Sequence, residues 1–337
     1  MSARQAEEAV TVHETPSVPA LLLYWPARLL LKTAYRIWPL GDRGIRALTF
    51  IEVLFGWLPK PPNVDLTTVD LGGVEAELSV PRTPAHDQLR GVSVLYLHGG
   101  GFLFCGPATH RRVCARLAET LGVSVYSLRY RQLPEAGAGT SVQDACDAYR
   151  ALLDRSDAPD KVVVAGDSAG GFLAAKICEL AATDGVPRPA AFVGYSPQLS
   201  LDPDRHDPAL LGADAYMPLS AIRRAKPRWE RGPVALRGTR SPVDAPVEVF
   251  PPTFLTAADR ELLEPDIRAL TGRLHAAGRA VETHVWRRGV HAFPVLDALT
   301  SESRAAMRLT GEFLREVFGR TDTARLETVE VADDRAG

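Results

Sequence analysis

With 337 residues, 46% of them hydrophobic and 24% charged, the chain has the make-up of a soluble globular protein long enough to bury one large core. Its formal net charge of -2, with acidic and basic residues intermixed, lacks the electrostatic footprint of a nucleic-acid binder. Four cysteines, Cys105, Cys114, Cys146 and Cys178, show neither CxxC nor zinc-like Cys/His spacing, so no metal site and a reducing, cytoplasmic setting are expected.

Residues 1–60 precede the first expected strand and read as an N-terminal cap segment. "MSARQAEEAV" carries Glu7 and Glu8 where a secretory signal has only positive charge. The run "VPALLLYWPARLLLKTAYRIWPL" is broken by Pro26, Arg28, Lys32 and Arg36, and falls short of the roughly 18 apolar residues of a spanning helix. Arg28, Lys32 and Arg36 share one helical face. Leu30, Ala34 and Ile37, with Leu31, Tyr35 and Trp38 beside them, line another. The expectation is a helix lying on the body of the protein, with weak contact to a membrane surface as the alternative.

Two strands, 64–71 and 73–80, meet at a Gly-Gly turn and begin the sheet antiparallel. Six more, at 92–97, 123–128, 161–166, 190–196, 252–258 and 280–286, alternate with helices near 108–121, 140–154, 168–183, 264–277 and 300–318. That rhythm predicts an α/β fold with a mostly parallel eight-stranded sheet and helices on both faces. Residues 199–250 break it with Pro- and Arg-rich helical fragments, which read as a cap insertion in a catalytic domain spanning 61–318. The tail, 319–337, is charged, poor in apolar residues and expected to be disordered.

The most informative stretch is "VVVAGDSAGGFLAAKICEL". A β-branched run ends in Gly166-Asp167-Ser168-Ala169-Gly170 and opens directly into an apolar-periodic helix, the context of a nucleophile elbow. Gly166 and Gly170 leave room for the sharp turn that lifts the Ser168 hydroxyl above the sheet, while Asp167 is read as a scaffold hydrogen-bonder. A phosphate loop is disfavoured, because G-x-x-x-x-G-K-[ST] is absent.

A serine nucleophile needs a base and an orienting carboxylate, both expected downstream. His206 falls in the cap insertion, His275 on a helix and His284 within a strand. His291, in the loop "WRRGVHAFPV" after the last strand, is therefore the expected base. Asp259, just past the strand at 252–258, is the expected acid. Glu261, Glu264 and Asp266 read as charges at the next helix N-terminus.

Six segments occur together: "HGGG" at 98–101, "YRQLPE" at 130–135, "GDSAGG" at 166–171, "YSP" at 195–197, "DRELL" at 259–263 and "HAF" at 291–293. In order and spacing the chain resembles the hormone-sensitive-lipase-like branch of the α/β-hydrolases, a group of microbial esterases and lipases. The resemblance covers about residues 65–318. "YRQLPE" departs from the more usual "YRLAPE", and the N-terminal segment is rather long; both bear on substrate choice.

The resemblance implies an α/β-hydrolase fold and a serine carboxylesterase that forms an acyl-enzyme from short- to medium-chain acyl esters, with no cofactor. It also implies oxyanion-hole N–H donors at Gly99, Gly100 and Ala169, with His98 and Gly101 as structural members of the loop. Tyr24, Trp25 and Trp38 are candidate roof residues of an apolar substrate pocket and Phe102 a candidate wall, with core packing the alternative for each. Other readings are a natural-product deacetylase, an amidase or lactonase, or a non-catalytic small-molecule binder like the plant gibberellin receptors of this family. Cys105 is given no catalytic role.

Overall fold

The computed structural model describes residues 9–84, 87–206 and 214–333. Nine strands make one sheet: β1 (Val10–His13), β2 (Val64–Leu71), β3 (Val74–Pro81), β4 (Ser93–Leu97), β5 (Ser124–Leu128), β6 (Val162–Asp167), β7 (Ala191–Tyr195), β8 (Thr253–Ala258) and β9 (Val281–Trp286). Their order is β1-β9-β8-β7-β6-β4-β5-β3-β2. Only the β2–β3 and β3–β5 pairs are antiparallel.

The helices are α1 (Val18–Pro26), continued by a π-helical stretch Ala27–Leu31 into α2 (Lys32–Ile37), then α3 (Asp42–Leu48), α4 (Phe50–Gly56), α5 (Pro107–Leu121), α6 (Ala138–Arg155), α7 (Ala169–Ala181), α8 (Leu219–Trp229), α9 (Glu264–Ala276) and α10 (Ser301–Asp333). Strand β4 shows how the sheet is filled. Leu95 and Leu97 enter a core built with α6, α7 and α9, whereas Val94 and Tyr96 enter a second core built with α5 and α10. Burial on both faces explains the unbroken apolar runs of β6 and β8, each buried along its whole length.

The sheet has one strand more than expected. β1 pairs in parallel with β9, Val10 opposite Thr283 and Val12 opposite Val285. Four residues give too short an alternation to read locally, and their partner lies some 270 positions away. Residues 10–13 therefore belong to the sheet, although they fall within the segment 1–60; residues 1–8 lie outside the described part. α10 runs on to Asp333, past residue 319 where the expected tail begins. Few apolar residues remove a reason to pack, yet "ARLE" at 324–327 consists of strong helix formers extending an existing helix. Residues 334–337 lie outside the described part.

The remaining helices gather where the site forms. Trp229 of α8 donates through Nε1 to Gly101 O at 3.0 Å, setting the cap insertion on the glycine loop. Arg228 reaches Asp42 at 2.9 Å and Arg224 reaches Tyr35 O at 2.9 Å, joining the insertion to α1–α3. Glu52 of α4 accepts from the Ala108 and Thr109 N–H groups at 2.8 and 2.9 Å, a carboxylate satisfying the positive end of α5.

Close packing at the elbow is testable. A Cβ on Gly170 would lie 1.8 Å from Leu97 O, whereas one on Gly56 meets nothing within 4 Å. Gly170→Ala is expected to lose at least about 2 kcal/mol in urea unfolding, and Gly56→Ala to stay within about 1 kcal/mol of wild type.

Candidate active site

Ser168 stands between β6 and α7 with φ 51° and ψ -121°, a backbone conformation strained for any residue with a Cβ. The turn is held from β7 and beyond: Ser168 N donates to Tyr195 O at 3.1 Å, and Gln198 N donates to Ser168 O at 2.8 Å. A Cβ on Gly166 would come within 2.6 Å of Gly170 backbone, so the two flanking glycines make the turn sterically feasible.

The glycine loop lies directly against the serine. A Cβ on Gly99 would sit 3.1 Å from Ser168 Cβ and 2.2 Å from Asp167 Oδ2. Gly100 has φ 107°, and a Cβ there would meet Phe104 O at 2.1 Å. Asp167 fastens this loop: its Oδ1 accepts from Gly99 N at 3.0 Å and from the Tyr96 hydroxyl at 2.9 Å. His110 Nε2 lies 3.3 Å from Oδ2 of the same buried carboxylate. Burial would raise the Asp167 pKa, but His110 and the hydroxyl of Tyr96 outweigh it and hold the carboxyl below its usual value. Burial likewise opposes a charge on His110, yet Asp167 prevails and its pKa rises.

Gly99, expected as an oxyanion donor, thus has its N–H committed to Asp167. The N–H groups of Gly100, Gly101 and Ala169 have no hydrogen-bond partner among the described residues.

His98 is fully buried, stacked on Tyr130 at 4.2 Å, with Nδ1 2.8 Å from Gly99 O. The Tyr130 hydroxyl donates to His98 O at 2.7 Å. Burial, with the nearby His110 charge, pushes the His98 pKa down to about 3, so it stays neutral and Nδ1–H donates to the Gly99 carbonyl. Cys105 is held up at about 12 by burial and is no thiolate nucleophile.

The carboxylate beside His291 is not the expected Asp259. His291 Nδ1 lies 2.8 Å from Glu261 Oε2, and both side chains are almost wholly buried. Asp259 does not take this position. Its N–H bonds to Trp286 O at 2.8 Å and extends the strand pairing, so the chain has not yet turned. Arg260 then adopts φ 64°, and the next residue, Glu261, is delivered to His291. Of the other histidines, His206 pairs with Asp266 at 2.8 Å, His284 with Glu282 at 2.6 Å, and His275 is exposed.

Burial disfavours charge on His291, but the Glu261 carboxylate prevails and raises the pKa above its ordinary value. Burial also pushes the Glu261 carboxyl up against the pull of His291. His291 Nε2, the ring nitrogen turned away from the carboxylate, has no hydrogen-bond partner among the described residues. The end of β7 links the two halves: Tyr195 O holds Ser168 N, and the next residue, Ser196, accepts from Ala292 N at 3.1 Å through Oγ.

Asp214, in the cap insertion, braces the acid. Its Oδ2 accepts from Leu262 N at 2.9 Å, its Oδ1 from Tyr216 N and Met217 N at 2.8 and 2.7 Å, and its carbonyl from Lys32 Nζ at 2.6 Å. Tyr216 covers His291, edge-on at 5.9 Å, with its hydroxyl 3.2 Å from His291 O, and Tyr35 packs on Tyr216 at 5.8 Å. These two tyrosines lie over His291. Tyr24 and Trp25 pack edge-on against each other, and Tyr24 joins a cluster with Trp286 and Phe293. Trp38 is partly exposed and donates to Gly44 O at 3.0 Å. Phe102 is fully buried between Phe172 and Trp229, in the core rather than in a pocket wall.

A cleft of about 610 Å³ is lined by Lys161, Ala190, Pro252 and Val281, at the N-terminal ends of the parallel strands. It shares no residue with the Ser168 site, which lies at their C-terminal ends, where open α/β sheets bind ligands.

Comparison with known proteins agrees with this architecture. A family model described as an α/β hydrolase fold matches residues 94–295. The carboxylesterase/phospholipase LipF of Mycobacterium tuberculosis is 34% identical over 270 residues, covering 77% of this chain and 71% of that protein. The acetyl-hydrolase of Streptomyces hygroscopicus is 32% identical over 266 residues, covering 79% and 86%. A crystal structure of a hormone-sensitive lipase from a metagenome library matches with a TM-score of 0.76 at 27% identity, over 90% of this chain and 99% of that one.

Imidazole NMR titration checks the contrast between the two buried histidines. His98 is expected to stay neutral down to about pH 3 and His291 to titrate above 6.5, with Glu261→Gln moving the His291 titration to lower pH.

Proposed function

The chain belongs to the hormone-sensitive-lipase-like branch of the α/β-hydrolases, and from that premise we propose that it is a serine carboxylesterase working through Ser168, His291 and Glu261. The observation that carries the reading is the buried Glu261–His291 pair, its second ring nitrogen unengaged, joined through the end of β7 to a strained serine elbow.

In this reading the Ser168 hydroxyl attacks the acyl carbonyl carbon and its proton passes to His291 Nε2. Glu261 holds the ring through Nδ1–H and stabilises the imidazolium that forms. The oxyanion is received by the N–H groups of Gly100, Gly101 and Ala169, the last at the positive end of α7; one such donor is worth about 3–4 kcal/mol in the transition state. Collapse of the tetrahedral intermediate breaks the ester C–O bond, and the alcohol leaves with the proton from Nε2. Water, deprotonated by the same nitrogen, then releases the acid from Ser168.

The substrate is proposed to be a short- to medium-chain acyl ester. Relatives named acetyl-hydrolase and ethyl acetate hydrolase support a small acyl group, and the Tyr35–Tyr216 cover supports an apolar one. A binding protein that had lost hydrolysis would have no use for a buried acid–base pair beside a strained serine.

Hydrolysis of p-nitrophenyl acetate and butyrate tests the assignment. Ser168→Ala and His291→Ala are expected to lower kcat by roughly 10⁴–10⁶-fold and Glu261→Ala by roughly 10⁴-fold. Asp259→Ala should stay near wild type; a deep loss there with Glu261→Ala intact would return the acid role to Asp259. Because protonated His291 accepts no proton and its pKa is raised, kcat/KM is expected to fall as pH drops through a value above 6.5.

A further inference from the structure

Helices α1–α4 carry a surface unlike the rest of the molecule. Of the 17 large apolar side chains exposed among the described residues, 14 lie between Val18 and Leu58. Along α1 and its π continuation, Val18, Leu22, Trp25 and Leu29 recur at helical spacing on the solvent side, while Ala20 and Ala27 face the body. On α4, Phe50, Val53, Leu54 and Trp57 make a second exposed stripe, while Glu52 points inward to cap α5. Amphipathic helices ordinarily turn such stripes to the core. Here both are turned outward, and exposed apolar surface of this extent marks an interaction face.

Charge indicates what the face meets. Residues 18–60 hold six basic and two acidic residues in a chain whose net charge is -2. Both acids are already engaged, Glu52 with the start of α5 and Asp42 with Arg228. Arg36, Arg43 and Lys60 are exposed beside the apolar stripes. A second copy docked symmetrically would bring this basic face against itself. An anionic lipid surface complements both features at once.

We propose that α1–α4 dock on an anionic lipid surface, with the apolar stripes in the acyl boundary and the basic residues at the headgroups. The helices lie in that plane, since no helix among the described residues is long and apolar enough to cross a membrane. The docking face is connected to the site: Lys32 holds the Asp214 carbonyl, Tyr35 packs on Tyr216, and Tyr216 covers His291. Docking therefore sets the roof of the site at the boundary where acyl esters concentrate. This delivery of substrate rests on the esterase reading, whereas docking itself does not.

The test reads binding without turnover. Full-length Ser168→Ala protein is floated with phosphatidylcholine vesicles, with and without phosphatidylglycerol. Co-flotation that requires phosphatidylglycerol and weakens with salt is the expected result. Leu29→Ser/Trp57→Ser is expected to lose at least about tenfold in binding. Arg36→Glu/Arg43→Glu, which keeps the stripes, should lose the preference for phosphatidylglycerol. Both pairs, placed in the otherwise wild-type chain, should keep the p-nitrophenyl butyrate rate, which shows that they fold. Protein that stays in the aqueous fraction, or double variants that float like the parent, would overturn the proposal. So would concentration-dependent self-association in sedimentation that Trp57→Ser abolishes, in favour of a second copy.

Discussion

The arrangement of the site depends on one buried carboxylate. Asp167 binds the backbone N–H of Gly99, the hydroxyl of Tyr96 from β4 and the imidazole of His110 from α5. Through these contacts the residue preceding the nucleophile sets the position of the loop opposite it. Burying a carboxylate is costly unless it is paired and hydrogen-bonded, and here each contact also fixes geometry. The loop carbonyls and N–H groups cannot drift from Ser168 without breaking a charge-assisted hydrogen bond in a dry environment.

Two histidines a few ångströms apart show how the same burial gives opposite outcomes. His98 and His110 rings lie 5.5 Å from each other, and both are removed from water. His110 touches the Asp167 carboxylate and its charged form is favoured; His98 meets the Gly99 carbonyl and the face of Tyr130, and is held neutral. A second charge beside His110 would be repelled. His98 is therefore suited to donate a fixed hydrogen bond that does not change with pH.

Much of this was legible in the sequence because the signals were local. Strand–turn–helix chemistry around Ser168 is contained in a few adjacent residues, and central strands buried on both faces show as apolar runs. His291 could be found by its place after the last strand. The carboxylate that meets His291 was misplaced because two candidates lie two residues apart, and the choice depends on where the chain turns. Only the positive φ of Arg260, which follows the last backbone pairing of Asp259, sends Glu261 rather than Asp259 to the histidine. The Gly99 N–H is also a plausible donor in sequence, and becomes unavailable only when Asp167 folds back onto it. Strand β1 and the Tyr35–Tyr216 cover rest on contacts between distant segments, which periodicity does not encode.

Asp214 adds a constraint on how such an enzyme can be rebuilt. Its carboxylate serves the cap through Tyr216 and Met217 and the acid-bearing turn through Leu262, while its carbonyl is tied to Lys32. The insertion and the turn after Glu261 thus share a single residue, and the insertion is not an exchangeable module. A chimera carrying a foreign insertion would inherit a new cover over His291 and, unless it also supplied a carboxylate at this point, a loosened Glu261 beneath it.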